Sequence, residues 1–283
     1  TSHPARLTHC TADALRGPPP VAVAKQQQRR RHPLPWRNSS NADGAPVGHL
    51  DCAPMANDDQ VYSLIASERR SLIDVLETLS DAQWQTPSLC EGWTVRHVVA
   101  HLASILDLPR RRWVGAIVRH RGFDPAADKF ARSYAERPTA ALVGILRRNA
   151  ERRYRPPGLP VEAPLVDVLV HSVDIAVPLG RSTQRSTAAG QVALDYFLSG
   201  KSKRARAITG HSGDFTTGLR YVPSDGVWPD GPTDERRHGL GDPNGLEVSG
   251  TGAILAAALS GRLAVFDHLS GAGVGELRSR ISA

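Results

Sequence analysis

The chain has 283 residues, 40% of them hydrophobic and 22% charged, with a formal net charge of +7, enough for two compact domains or one large domain with appendages. Residues 1–54 hold Arg6, Arg16, Lys25, Arg29, Arg30, Arg31 and Arg37 against Asp13, Asp43 and Asp51, so they supply +4 and leave the body only +3; a nucleic-acid partner is not implied by so local a charge. Cys10, Cys52 and Cys90 are too few for a disulfide framework, and no run approaches the roughly 20 apolar residues of a membrane span, so a cytoplasmic protein with no nucleic acid and no membrane partner is expected.

Residues 1–54 are rich in Pro, Gln and Arg, with Pro18-Pro19-Pro20 and Gln26 to Arg31, and show no periodicity; disorder is expected there. Met55, the single methionine, stands just before the first periodic segment and is read as the native start. From Val61, residues Leu64, Ile65, Leu72, Val75, Leu76 and Leu79 recur at three- and four-residue spacing, which predicts an amphipathic helix. A loop with Trp84, Pro87, Cys90, Gly92 and Trp93 follows. Thr94 is then placed to cap a second helix carrying Val95, Val98, Val99, Leu102, Ile105 and Leu106 and stopping before Pro109. Further helices are expected over Arg111 to His120 and from Pro138 through Leu142, Ile145 and Leu146.

Pro164 to Leu179 is apolar on nearly every side except at Asp167, His171, Ser172 and Asp174, the pattern of a buried helix, with Gly180 to end it. Arg181 to Thr187 reads as the linker to a small mixed domain. There Val192 to Leu198 looks helical, Leu219 to Val222 and Leu246 to Val248 look like strands, Pro223-Ser224-Asp225-Gly226 is a turn, and Ile254 to Leu259 is a helix closed by Gly261.

At about 100° per residue, Asp167, His171 and Asp174 lie within about 60° on one face. A carboxylate and an imidazole in an apolar interior need a partner, since burying them bare costs several kcal/mol. A cation is one answer, and His101, at the edge of the second helix's apolar stripe, is the natural third ligand; His97 is a rival that suits a solvated first-turn position better. Two imidazoles and one carboxylate suit Zn²⁺ or a similar ion with coordination positions left open. From spacing alone, a plain Asp/His helix contact and a hydrogen-bonded core histidine stand beside that reading. Cys90 reads as a packing residue in its loop, with no cationic partner in view. Gly210-His211-Ser212-Gly213 is not a nucleophile elbow, because Asp214 stands where glycine is needed.

The stretch Pro87-Ser88-Leu89-Cys90-Glu91-Gly92-Trp93-Thr94-Val95-Arg96-His97-Val98-Val99-Ala100-His101-Leu102 closely resembles the second-helix motif of the mycothiol-dependent maleylpyruvate isomerase family, part of the DinB-like metal-binding superfamily. Asp167-Val168-Leu169-Val170-His171-Ser172-Val173-Asp174-Ile175 resembles that family's other metal-bearing helix. The resemblance implies an α+β fold: an N-terminal DinB-like four-helix bundle over 55–182, then a small α/β C-terminal domain over 183–283. It implies a divalent metal, zinc by expectation, on His101, Asp167 and His171, where some relatives carry Glu in place of Asp167, and an orienting role for Asp174. The C-terminal part resembles the family's smaller domain through Gly218 to Val222, Ser224 to Trp228, Leu259-Ser260-Gly261-Arg262 and Leu269-Ser270-Gly271, although the charged insertion Thr233 to Gly241 is longer than usual. Arg262 is the candidate catalytic residue, as a binder of an acidic substrate or cofactor, with a surface ion pair as the plainer reading.

Mycothiol is the thiol that the resemblance implies, with a small electrophile as substrate. The metal favours thiolate over thiol, and the thiolate adds to an activated cis double bond, permits rotation and leaves. Transfer of the thiol to an electrophile would use the same site. A noncatalytic protein holding metal, or a hydrophobic ligand in a C-terminal part similar to sterol-carrier modules, is the alternative from another class.

Overall fold

The first helix starts where its capping signal lies, three residues before the expected Val61. The Asn57 side chain accepts the Gln60 N–H (2.9 Å) while the Gln60 side chain accepts the Asn57 N–H (2.8 Å), a reciprocal cap that satisfies two orphan donors. Helix α1 then spans Asp58–Leu76. The computed structural model describes residues 57–156, 158–199, 214–225 and 240–282. The expected extension, Met55, Gly210 to Gly213, Gly226 to Trp228 and residues 233–239 of the insertion lie outside the described residues.

Trp84, expected in a loop, ends a one-turn helix α2 (Asp81–Trp84) capped by Ser80. Helix α3 (Val95–Asp107) starts after Thr94 as expected, and its first turn is closed by the Thr94 N–H donating to His97 Nδ1 (3.2 Å). His97 is therefore half-buried and engaged rather than solvated. Helix α4 (Arg110–His120) matches the expected third segment. Helix α5 (Phe123–Ala135) has no counterpart in the sequence reading. Helix α6 (Thr139–Arg148) follows Pro138, which stands at its cap rather than inside its first turn.

Helix α7 (Ala163–Ala176) is buried almost all round. It packs on α1 and on α3, and α6 packs on the same two, so α1, α3, α6 and α7 close a four-helix ring. Helices α4 and α5 pack on each other, and α5 backs α3 from outside that ring. Arg69, buried on α1, donates through Nη1 to the carbonyls of Asn149, Ala150 and Arg152 (3.2, 3.2 and 2.9 Å), satisfying acceptors at the end of α6 that no helical donor reaches.

Helix α8 (Thr187–Leu198) begins five residues before the expected Val192, at the Ser186 cap. Among the described residues three strands follow: β1 (Leu219–Pro223), β2 (Leu240–Gly241) and β3 (Leu246–Gly250), in the order β2-β1-β3. β1 pairs antiparallel with β2 and parallel with β3, Tyr221 opposite Val248. Helix α9 (Gly252–Leu259) has every residue buried, as its Ala, Leu and Ile content requires, and lies against α7 and α8. A 3₁₀ segment, Leu263–His268, and helix α10 (Val274–Ser282) complete the C-terminal part. The described architecture is thus α+β, a helical bundle followed by a small mixed sheet with its own helices. No helix among the described residues is long and apolar enough to cross a membrane.

Candidate metal centre

Helix α7 supplies three side chains to one seam because its period places Asp167, His171 and Asp174 on one face, and α3 presents His101 across that seam. His101 Nε2 lies 3.7 Å from Asp167 Oδ1, and His171 Nε2 lies 3.5 Å from the same oxygen. The two imidazole centroids are 5.0 Å apart. Those N to O separations exceed an N–H···O hydrogen bond. They approach the spacing, about 3.4 Å, of two ligands each about 2.0–2.1 Å from a tetrahedral ion. The His101 and His171 side chains are only 3% and 10% exposed, whereas that of Asp167 is 32% exposed; the cluster opens to solvent on the carboxylate side.

Asp174 works from behind His171. The His171 Nδ1–H donates to Asp174 Oδ2 at 2.8 Å, which commits that nitrogen to the proton and turns Nε2 toward Asp167 and His101. Asp174 is fully buried and takes three further donors: the Cys90 thiol at 3.1 Å, Arg262 Nε at 3.2 Å and Arg262 Nη2 at 3.1 Å. Burial opposes its charge, but the Arg262 guanidinium and His171 hold its carboxyl far below the usual range. Burial also opposes the imidazolium of His171, yet the Asp174 and Cys90 hydrogen bonds and the charge of Asp167 push its pKa up to about 10. His101, by contrast, is lowered by burial. Asp167, despite burial, is lowered by His101, His171 and Arg69.

Cys90 reaches this cluster through a backbone exchange. Pro178 cannot donate to the Asp174 carbonyl as the next turn of a helix would, and the Leu89 N–H takes that carbonyl instead at 3.2 Å. The loop carrying Cys90 is thereby fastened to the end of α7. The expectation that Cys90 lacks a cationic partner is corrected: Arg262 Nη2 is 3.7 Å and His171 Nδ1 3.9 Å from its sulfur. Arg262, expected at an acidic substrate, spends Nε and Nη2 on Asp174 and Nη1 on the Ser260 carbonyl (3.2 Å).

Among the described residues, two groups of side chains therefore bring potential ligand atoms within 4.8 Å of one another: His101, Asp167 and His171, and Cys90, His171 and Asp174. The second already contains the Arg262 cation, and its carboxylate and imidazole are bound to each other. The first turns two imidazole nitrogens and a carboxylate oxygen inward on a shared point with no arginine or lysine among them, and is the better fit to a divalent ion.

Residues 65–176 match the family model of the mycothiol maleylpyruvate isomerase N-terminal domain. That segment contains both motifs on which the resemblance was read, with His101, Asp167 and His171 inside it. Two solved structures, a crystal structure of the mycothiol-dependent maleylpyruvate isomerase and one of its histidine-to-alanine mutant, are each 16% identical to the chain, cover 76% of it and 93% of their own length, and give a TM-score of 0.46. No curated protein sequence matches the chain.

Proposed function

We propose that the chain is a divalent-metal enzyme that uses mycothiol as its thiol, either isomerising a small maleylpyruvate-like electrophile or transferring the thiol to one. The observation that supports this most is the convergence of His101 Nε2, Asp167 Oδ1 and His171 Nε2 at one semi-open point, within the segment that matches the mycothiol maleylpyruvate isomerase N-terminal domain.

His101, Asp167 and His171 would hold the ion, zinc being the simplest choice for two nitrogens and one oxygen. When bound, such an ion favours the thiolate of a thiol reaching it. Asp174 holds the His171 proton at Nδ1, so that the proton given up on binding is the one at Nε2, whose lone pair then faces the ion. The apolar walls of α3 and α7 exclude water from the two histidines, while Asp167 keeps one side of the cluster open to solvent. For Arg262 the geometry favours positioning, through Asp174, over direct contact with an acidic substrate.

Elemental analysis of the purified chain, paired with binding of mycothiol against glutathione, tests this reading. About one divalent metal per chain is expected, with mycothiol preferred. His101→Ala and His171→Ala should each lose the metal while keeping the helical far-ultraviolet signal. Metal retained by both variants would overturn the ligand assignment, and indifference to mycothiol would overturn the choice of thiol.

A further inference from the structure

We propose that Trp93 and Trp113 are positioning residues that fix the His101 imidazole by packing, in place of the hydrogen bond that fixes His171. The inference rests on the metal reading above and concerns how one ligand is kept in register. His171 is anchored at Nδ1 by Asp174. His101 is 3% exposed, and among the described residues its buried Nδ1 has no hydrogen-bond partner. A metal-binding histidine ordinarily donates its second ring N–H to an acceptor, which sets the ring's orientation. Without that anchor the imidazole can turn about its terminal torsion, whose preference is broad, and exchange the nitrogen that faces Asp167.

Aromatic walls stand against this ring instead. The Trp93 ring lies 5.4 Å from the His101 ring, tilted by 46°, and the Trp113 ring lies 6.3 Å away at 84°. Both indoles are themselves fixed. Trp93 Nε1–H donates to Asp128 Oδ1 at 2.9 Å, and Trp113 Nε1–H donates to the Ser104 carbonyl at 3.4 Å. Trp113 also stacks on Phe123 (5.8 Å, 19°) and meets Phe130 edge-on (4.8 Å, 60°). Asp128, Phe123 and Phe130 all belong to α5, so the α4–α5 pair that backs the four-helix ring acts as a brace for one ligand. Each indole leaves the imidazole no room to turn without displacing a buttressed ring.

Titration of the full chain with Co²⁺, read by its visible absorption envelope and affinity, tests this in Trp113→Leu and Trp113→Phe. Leucine fills space without a flat wall, and phenylalanine restores one. Trp113→Leu should weaken Co²⁺ binding about tenfold or more, within the range for partners that orient metal ligands, and alter the absorption envelope; Trp113→Phe should recover most of both. Wild-type affinity and envelope in a folded Trp113→Leu chain would overturn the inference while leaving the metal reading intact. If Trp113→Leu does not fold, Trp93→Leu is read by the same criteria. No Co²⁺ spectrum in the unaltered chain would overturn the metal reading, and this inference with it.

Discussion

On the proposed metal reading, His171 carries a proton that a bound cation would displace. Its pKa is pushed up to about 10, burial being outweighed by hydrogen bonds to Asp174 and Cys90 and by Asp167, so near neutral pH the metal-free ring is doubly protonated. His101 and Asp167 are both shifted downward, so neither opposes a cation with a second charge-bearing proton of its own. Because the raised group must lose its proton from Nε2, metal affinity should climb with pH, by about tenfold per unit below that pKa. Calorimetric titration near neutral pH, in buffers of different ionisation enthalpy, should report about one proton released per metal. Asp174→Asn removes the charge that holds the His171 proton, and the count should fall toward zero; equal counts in the two proteins would show that Asp174 does not govern His171.

Among the elements, α1, α3 and α7 are legible in the sequence because their apolar positions are large and regularly spaced. Helix α5 is not. Its buried face is built on Ala126, Ala127, Ala131 and Tyr134, and the small alanines give little contrast against Asp124, Asp128, Lys129 and Arg132. The α4–α5 pair also permits a test of backbone preference. Gly115, exposed on α4, has open space where a Cβ would stand, so Gly115→Ala should stabilise the fold by about 0.5–1 kcal/mol, the helix-interior glycine penalty. Gly271 is the opposite case, with φ at +107° and a Cβ position 2.3 Å from the Glu247 carbonyl oxygen. Gly271→Ala should therefore destabilise by more than about 1 kcal/mol. Urea unfolding midpoints measure both, and a shift of the same sign in the two variants would contradict the local geometry.

At the scale of the whole molecule, the sequence points to the three side chains that the structure brings together, but not to the groups behind them. His101, Asp167 and His171 carry period and motif. The bonds of Asp174 to Cys90 and Arg262 span 84 and 88 residues, and no local pattern announces a pairing over that distance. Yet this support ties the C-terminal segment to the bundle: Arg262 follows α9, and its partner lies on α7. The two charges are unequally shielded, with Asp174 at 0% and Arg262 at 25% side-chain exposure. Removing one member of a buried pair leaves the other uncompensated, at about 3–5 kcal/mol for full burial. Arg262→Ala should stand nearer that range than Asp174→Ala, because the freed arginine can turn to water and the buried aspartate cannot, while His171 and Cys90, still on Asp174, keep the loss below the full value. The double variant should cost less than the two single losses combined, by about 1–3 kcal/mol of coupling. Chemical denaturation of the four proteins, at a pH well above the ordinary carboxylate range, measures that cycle. Additive losses would mean that the bundle and the C-terminal segment are not joined through this ion pair.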